Sequence, residues 1–381
     1  MADPIVIIGS GMAGYAVARE FRKLNSEAPL LMITADDGTS YSKPMLSTGF
    51  TKAKSAKELE MASASDMSEQ LNMSMRTHAI VQAIDTSAKT LSVDGSSVSY
   101  DKLVLATGAE VNVLPFVANT AERVCSVNDM DDYRIFREKC AGVKRIAIIG
   151  TGLIGCEYAN DLLNGDYDID LIGPSSEVLD TLLPIEASKC VTRALRDAGA
   201  HLHLNQNVVA IEETESSVII TLDSGEKIEA DLAVSAIGLK PNTRLAQEAG
   251  LETNKGIVCD RSLMTSVKDV FTIGDCAEVD GHVLLYVLPL MAGARALAKT
   301  LNGTPTNLSY GVMPVMVKTP ACPVVVLPPL SNDGEWECES DGFSSKSLFK
   351  NADGDLLGFA LTGDATKEKQ ALSKLAPPIH G

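Results

Sequence analysis

The hydrophobic pattern of the chain opens with a short apolar run that predicts a buried strand. Ile5–Ile8 consists only of β-branched residues, which favour a strand of a parallel sheet. A glycine-rich turn at residues 9–14 follows at once, and residues 15–25 then read as a helix with a charged side. A second apolar run, Leu30–Ile33, ends shortly before Asp36. This order of strand, turn, helix and strand predicts the first unit of a Rossmann fold.

The same arrangement returns in the middle of the chain. An apolar run at Arg145–Ile149 leads into a second glycine turn at residues 150–155, a helix predicted over 156–164 and a strand at 169–172. A single GxGxxG pattern is a weak indication of a dinucleotide site, because glycine-rich turns also arise by chance. Two such patterns, each placed between a strand and a helix, predict two dinucleotide-binding units.

The rest of the chain is organised around these two units. Residues 68–109 and 216–238 read as short strands joined by turns, and a helix is predicted from about Pro289 to Leu301. From Gly311 onward, prolines interrupt short β runs, which indicates a separate small domain. We therefore predict an α/β protein with two Rossmann-like dinucleotide-binding domains and a small C-terminal α+β domain. The expected bounds are 1–114 and 246–311 for the first Rossmann-like domain, 115–245 for the second and 312–381 for the C-terminal domain.

The first glycine turn has the residues that a bound pyrophosphate requires. The predicted contacts come from the turn and the start of its helix: Gly9, Gly11, Met12, Ala13 and Gly14. Gly9 permits the tight turn, Gly11 lets the backbone approach the pyrophosphate, and Gly14 lets helix and strand pack closely. The helix N-terminus then presents its amides to the anion. Asp36 lies about 20 residues further on, where an acid meets the adenosine ribose; alternatively it only caps the strand end.

The second glycine turn predicts a second dinucleotide site by the same physics. Its expected contacts are Gly150, Gly152, Leu153, Ile154 and Gly155. The next strand ends at Gly173, and no arginine follows to receive the 2′-phosphate of NADP. Glu177 and Asp180 come instead, and their charges repel such a phosphate. We therefore expect NADH rather than NADPH.

Five motifs spread along the chain together resemble the pyridine nucleotide–disulfide oxidoreductase family of FAD enzymes. They are GSGMAG at 9–14, LVLATGA at 103–109, GTGLIGCE at 150–157, AIGLKPN at 236–242 and TIGDCAE at 272–278. The resemblance implies a glutathione reductase-like fold, with FAD in the first domain and NADH in the second. It also implies that Asp275 holds the ribityl chain of the flavin, although a turn aspartate is the simpler alternative. The remaining cofactor contacts that it implies are Lys43, Pro44, Ala106, Thr107, Gly108, Gly238 and Gly274.

Glu157 and Lys318 are the expected catalytic residues and also line the cofactor site. Glu157 is predicted in the first turn of the second glycine-turn helix, where the helix dipole favours an acid. In the family that the chain resembles, the glutamate at this position of the motif approaches the nicotinamide and the flavin. Lys318 is a candidate partner for Glu157, and Lys43 is a second candidate cation near the flavin. An ordinary helix acid and solvated surface lysines are the alternatives.

The cysteines argue against the thiol chemistry of many members of that family. The eight cysteines include no closely spaced pair, so neither a redox disulfide nor a zinc site is predicted. Residues 42–46, where peroxide-reducing members carry one reactive cysteine, contain none. Scattered cysteines fit a reducing cytoplasm, where we expect the protein to reside. Electrons are therefore expected to leave the flavin directly.

Two segments resemble the branches of the family that reduce small iron proteins. Residues 41–48, YSKPMLST, are similar to the YDRPPLSK segment of ferredoxin reductases. With residues 317–323, VKTPACP, they are more similar to the rubredoxin-reducing branch of alkane-degrading bacteria. The implied partner is rubredoxin, with an indirect link to an alkane monooxygenase. A ferredoxin reductase of an oxygenase system, an NADH oxidase and a flavin-binding signalling protein resembling apoptosis-inducing factors remain alternatives.

Composition narrows the possible partners. The 381 residues include 33 Lys and Arg and 50 Asp and Glu, a formal net charge of −17, which is unfavourable for nucleic-acid binding. The longest apolar run, residues 283–294, is too short to span a bilayer, and the N-terminus shows no cationic signal-peptide region. Rubredoxins are usually acidic too, so the docking patch is expected to be locally neutral or basic. Lys43, Lys318 and the apolar run at 321–327 are its candidates.

Overall fold

The first Rossmann-like sheet has five parallel strands. A computed structural model describes residues 3–116 and 122–380. Helix Met12–Arg22 packs against helix Val287–Leu301 on this sheet. The central strands are buried on both faces, as β-branched runs in a parallel sheet require. In spatial order, the strands are Val270–Thr272, Lys102–Leu105, Ile5–Ile8, Leu30–Ile33 and Ser74–Arg76.

Shorter elements surround this sheet. A 3-10 helix occupies Lys43–Thr48, and short α-helices occupy Ala56–Leu59, Ala64–Gln70 and Arg244–Glu248. The predicted strands of residues 68–109 form an antiparallel meander of Val81–Asp85, Thr90–Val93 and Ser96–Ser99. Two further pairs are Ser40–Tyr41 with Glu60–Ala62, and Ile257–Cys259 with Ala277–Val279.

The second Rossmann-like sheet repeats the plan of the first. Its parallel strands run in the order Val124–Cys125, Leu232–Ser235, Arg145–Ile149, Asp168–Ile172 and His201–His203. Its helices are Met130–Lys139, Leu153–Leu163 and Ile185–Asp197. A separate antiparallel sheet of Val208–Glu213, Val218–Leu222 and Lys227–Ala230 shares a hydrophobic core with it. The two halves meet where Ala109–Val111 pairs antiparallel with Leu239–Pro241.

The C-terminal region forms a five-stranded antiparallel sheet, and with it the predicted fold class is confirmed. The strands lie in the order Val315–Val317, Val324–Leu327, Leu356–Thr362, Ser344–Lys350 and Glu335–Asp341. A 3-10 helix, Gly363–Glu368, and a helix, Lys369–Ser373, follow. Helix Ile185–Asp197 of the second Rossmann-like half packs on this sheet.

One expected part of the docking patch is wrong, because Val324–Leu327 is a buried strand. Its alternate side chains face opposite ways, as the two-residue period of a strand dictates. Val324 and Val326 join the hydrophobic core of the second Rossmann-like half, whereas Val325 and Leu327 join a separate core that includes Leu372. Both faces of the strand are therefore covered.

The predicted helix boundaries differ from the observed ones by a few residues. The first helix begins at Met12 rather than 15 and ends at Arg22, since Gly11 serves as its N-cap. The helix Ala64–Gln70 was missed at the edge of a segment read as strands, although Ser63 and Asp66 form a capping box that marks its start. In the ranges 3–116 and 122–380, no helix combines the length and apolar character needed to cross a membrane.

Candidate functional site

The backbone of the first glycine turn leaves no room for side chains at two of its three glycines. Gly9 has a φ of +108°, and a Cβ there would overlap the carbonyl oxygen of Ala106. A Cβ at Gly14 would overlap the carbonyl oxygen of Gly9. Gly11 differs, because no atom lies within 4 Å of the position that its Cβ would take. The turn is therefore closed towards the sheet and open above Gly11, where a ligand approaches.

The second glycine turn has the same geometry. Gly150 has a φ of +118°, and a Cβ there would overlap the carbonyl oxygen of Ala236. A Cβ at Gly155 would overlap the carbonyl oxygen of Gly150, whereas the space above Gly152 is open. The two turns are far apart in the sequence but share one backbone geometry.

The helix that follows each turn begins without a competing partner. Gly11 and Gly152 are the N-caps, neither cap makes a side-chain hydrogen bond, and neither helix has an acid in its first turn. The first amides, at Met12, Ala13, Leu153 and Ile154, are thereby left for an anion. Open backbone above a glycine, next to an uncapped helix N-terminus, fits a dinucleotide pyrophosphate. Both turns pass this test of fit.

Asp36 is tied to the first glycine turn. Its Oδ1 accepts hydrogen bonds from Ser10 Oγ at 2.7 Å, Thr34 Oγ1 at 2.7 Å and Gly38 N at 2.9 Å. The aspartate thus braces the turn as well as the strand end. Its contact with the ribose stays a prediction.

Lys43 and Asp275 meet although they are distant in the sequence. Lys43 Nζ donates to Asn128 Oδ1 at 2.8 Å and lies 3.9 Å from Asp275 Oδ2. Burial lowers the pKa of the Lys43 ammonium and raises the pKa of the Asp275 carboxyl, and the charge of each opposes the shift of the other. Gly274 has a φ of +80°, and a Cβ there would lie 2.7 Å from the Cβ of Ala13. The predicted flavin ligands therefore converge beside the first glycine turn.

The helix Val287–Leu301 begins next to this cluster. Pro289 lies in its first turn, as predicted, and Leu290 lies 3.9 Å from the position of a Cβ on Gly274. No side chain caps the helix at Tyr286. A free helix N-terminus stabilises nearby negative charge, so this one is suited to a flavin that becomes negatively charged on reduction.

The ATG and GLKPN motifs are joined by hydrogen bonds. Thr107 Oγ1 donates to the carbonyl of Asn242 at 3.0 Å, and Asn242 N donates to the carbonyl of Gly108 at 2.9 Å. Gly238, with a φ of +100°, accepts a bond from Asn112 N at 3.0 Å. Gly238 thus lies at the junction of the two Rossmann-like halves rather than in either glycine turn.

Glu157 is buried among three donors. Ser47 Oγ donates to Oε2 at 2.6 Å, Lys318 N donates to Oε1 at 2.9 Å, and the Lys318 ammonium pairs with Oε2. The predicted partnership of Glu157 with Lys318 is therefore observed, while the catalytic roles of both stay predictions. The predicted first-turn position is wrong, because the helix starts at Leu153 and Glu157 is its fifth residue. The carboxylate therefore makes its contacts with side chains and backbone from other elements rather than with the helix N-terminus.

Several polar residues of the site were missed by the sequence analysis. Ser47 lay inside the quoted YSKPMLST segment, and Pro44 is the second residue of the 3-10 helix that carries it. Asn160 and Asp161 follow Glu157 by three and four positions on the same helix and are equally buried. Their signal was the helical spacing of three polar residues on a face that should be apolar.

Burial makes most of the cysteines poor candidates for redox chemistry. All eight are free and seven are buried, with Cys338 exposed. Burial raises the pKa of Cys140 to about 12 and that of Cys322 to about 11, so both thiols stay protonated at neutral pH. This agrees with electrons leaving the flavin without a thiol intermediate.

Residues 3–298 match the family described as pyridine nucleotide-disulphide oxidoreductase. The chain belongs to this family. Residues 307–376 match a second family, the rubredoxin binding C-terminal domain.

Full-length relatives agree with this assignment. The chain is 50% identical to a rubredoxin-NAD(+) reductase of Alcanivorax borkumensis over 99% of both chains. It is 42% identical to a rubredoxin-NAD(+) reductase of Acinetobacter baylyi, over 99% of this chain and 98% of the relative. In fold it is similar to the reductase in a covalent putidaredoxin reductase–putidaredoxin complex, with a TM-score of 0.88, 23% identity and coverage of 99% and 94%.

Membership of the pyridine nucleotide-disulphide oxidoreductase family fixes the cofactors. The family is FAD-dependent and uses NADH, so the prediction of both cofactors is confirmed. The chain is an enzyme, an NAD(P)H-dependent flavoprotein reductase, as predicted. The two glycine turns described above are the places in the fold that suit the two dinucleotides.

Proposed function

We propose that the chain is an NADH:rubredoxin oxidoreductase, which oxidises one NADH to NAD⁺ and a proton and reduces two ferric rubredoxins to the ferrous form. The observation that carries the proposal is the match of residues 307–376 to a rubredoxin-binding domain, on the same chain as two dinucleotide turns. The similarity of the whole chain to two rubredoxin-NAD(+) reductases supports it. FAD, when bound, accepts electrons as a pair and passes them on singly.

The chain's own residues orient the reactants. The first glycine turn and the Lys43–Asp275 pair hold FAD, and the second glycine turn holds NADH. Glu157 lies on the helix that follows the second turn, and its partner Ser47 lies on the 3-10 helix that also carries Lys43. Glu157 and Lys318 would position the nicotinamide for hydride transfer. Because Glu157 is buried and its partners are fixed, its orientation needs no rearrangement on binding.

Lys318 also connects the acceptor side with the cofactor side. It directly follows Val315–Val317, a strand of the C-terminal sheet, and its ammonium reaches the helix behind the second glycine turn. We propose that rubredoxin docks on the C-terminal domain near Lys43 and Lys318, both of which are partly exposed. Contacts for electron transfer of this kind are small and transient.

The setting of the reaction follows from the same reading. We propose a cytoplasmic location, supported by eight free cysteines, which fit a reducing compartment. The reduced rubredoxin is proposed to feed an alkane monooxygenase. We retain the bounds 1–114 with 246–311, 115–245 and 312–381 as the proposed domains.

The test compares electron acceptors for the purified, FAD-loaded protein under anaerobic conditions. NADH is supplied with rubredoxin, with ferredoxin or with peroxide, and acceptor reduction is followed by absorbance. We expect rubredoxin to be reduced at least roughly tenfold faster than the others, with two rubredoxins reduced per NADH. Faster turnover with ferredoxin would overturn the proposal in favour of a ferredoxin reductase, and faster turnover with peroxide in favour of a peroxidase.

A further inference from the structure

The helix Leu153–Leu163 carries three hydrogen-bond acceptors on one buried face. Glu157, Asn160 and Asp161 have relative exposures of 0, 2 and 2%. Positions i, i+3 and i+4 of a helix lie on the same side. Such burial is costly for polar groups unless partners are supplied, so the partners indicate what the face is for.

Asn160 fixes the loop that carries Lys318. Its Oδ1 accepts a hydrogen bond from Ala321 N at 2.9 Å. At the other end of the loop, Lys318 N donates to Glu157 Oε1 at 2.9 Å. The loop is thus pinned at both ends to one helix. With its backbone held there, Lys318 extends its side chain to the Glu157 carboxylate.

Asp161 fixes the segment that carries Ser47. Its carboxylate accepts Phe50 N at 3.1 Å and Thr51 N at 2.8 Å. These amides lie two and three residues after the 3-10 helix Lys43–Thr48, whose Ser47 donates to Glu157. The partners of Asp161 in these contacts are backbone amides, so the carboxylate holds a chain segment in place.

We propose that Asn160 and Asp161 are positioning residues for the transfer from NADH to FAD, acting through Lys318 and Ser47 on Glu157. The inference rests on the proposed function for that transfer, but not on the identity of the acceptor. The helix that holds both segments begins at the NADH glycine turn. Asn160 and Asp161 therefore set the register between the NADH side and the flavin side, where a displacement of about 1 Å can cost about 10²-fold in rate.

The first test is a double-mutant cycle on Asn160 and Lys318. Asn160→Leu is close in shape but leaves the Ala321 amide without its acceptor. We expect it to slow anaerobic reduction of bound FAD by NADH by roughly tenfold or more. In a Lys318→Met background, the same change should have no further effect, because coupled residues are not additive. Full additivity would overturn the proposal.

Leu162→Ala is the matched control for a general loss of stability. Leu162 is fully buried on the same helix, and the substitution creates a cavity without removing a bond to either segment. It should lower Tm at least as much as Asn160→Leu, yet leave the rate of FAD reduction close to wild type. Equal slowing by Leu162→Ala would reduce Asn160 to a purely structural role and would overturn the proposal.

Amide hydrogen exchange gives a readout that does not depend on activity. Asn160→Leu should increase exchange in peptides covering 318–322 and leave 43–51 unchanged, whereas Asp161→Asn should do the reverse. Should Asn160→Leu fail to fold, Asn160→Ser takes its place in both tests. Unchanged exchange in both segments would overturn the proposal. Rubredoxin is not needed here, so failure of the proposed acceptor would be recognised separately by normal FAD reduction without rubredoxin turnover.

Discussion

Lys318 gives Glu157 two donors at once, its backbone N–H to Oε1 at 2.9 Å and its ammonium to Oε2. The two residues come from different parts of the fold, the C-terminal sheet and the helix behind the second glycine turn. The pair therefore links the domain proposed to receive rubredoxin with the helix proposed to receive NADH.

Removing either member of this pair should slow the step that involves NADH. In both Glu157→Gln and Lys318→Met, we expect NADH to reduce the bound FAD at least roughly tenfold more slowly than in the wild type. The reason is that the nicotinamide and the flavin lose their fixed alignment. Anaerobic stopped-flow absorbance measures this directly. Lys346→Met is the control, since Lys346 pairs with Glu368 and is 32% exposed against 31% for Lys318. Wild-type rates in both site variants would show the assignment to be wrong.

The pyrophosphate of NADH should bind in the open space above Gly152 in the second glycine turn. Gly152→Ala adds a methyl group that no protein atom opposes, so folding should be unaffected while the methyl group obstructs the pyrophosphate. We expect KM for NADH to rise by roughly tenfold with Tm unchanged. Gly311→Ala, where the space is also open, is the matched control and should alter neither quantity. A normal KM in Gly152→Ala would contradict the placement of NADH.

Acid should destabilise the second Rossmann-like half through Asp170. Burial alone would raise the pKa of Asp170, but hydrogen bonds from His203 and Arg145 outweigh it and lower the pKa to about 2. Below about pH 4, Asp170 becomes protonated in the unfolded chain but stays ionised in the native protein. The free energy of unfolding therefore falls as the pH drops towards 2.

Asp170→Asn should remove this part of the pH dependence. The ionised Asp170 carboxylate contributes about 2 kcal/mol to the free energy of unfolding at pH 7, and this contribution is lost at low pH. Urea unfolding at pH 7 and pH 3 measures the part that is lost by pH 3, about 1 kcal/mol. The exposed neighbour Asp168→Asn is the control. An unchanged difference between the two pH values in Asp170→Asn would contradict the role of this carboxylate.

Thiol reagents should leave the reaction intact. Only Cys338 is exposed among the eight cysteines, so iodoacetamide should modify one thiol of the native protein. Mass spectrometry counts the modification, and Cys338→Ser should abolish it. Loss of rubredoxin reduction after labelling would indicate a thiol on the electron path, against the proposed direct transfer.

Salt should have little influence on the reduction of rubredoxin. The chain carries a formal charge of −17, and an acidic acceptor would be repelled at long range unless its docking site were locally neutral or basic. With Lys43 and Lys318 at that site, we expect turnover between 50 and 300 mM salt to change by less than about threefold. A steep rise with salt would mean that repulsion dominates docking.

The sequence was sufficient for the two glycine turns, because sterics at Gly9 and Gly150 allow only glycine and leave a recognisable spacing. It also suggested Lys318 as a candidate partner for Glu157. The helical spacing of Asn160 and Asp161 marks them as polar residues on a buried face, but their role could not be predicted, since their partners are backbone amides that no side-chain pattern reveals. The apolar run at Val324–Leu327 was misread because exposure depends on what packs against both faces of a strand.

The C-terminal sheet shares one hydrophobic core with the second Rossmann-like half, through Val315, Val317, Val324 and Val326. The C-terminal sheet therefore cannot be exchanged independently of the second Rossmann-like half. A chimera that borrows the terminal region of another reductase, in order to change its electron acceptor, would have to import matching partners for these valines. Otherwise the chimera would expose part of this hydrophobic core to solvent and would lose the contact of Lys318 with Glu157.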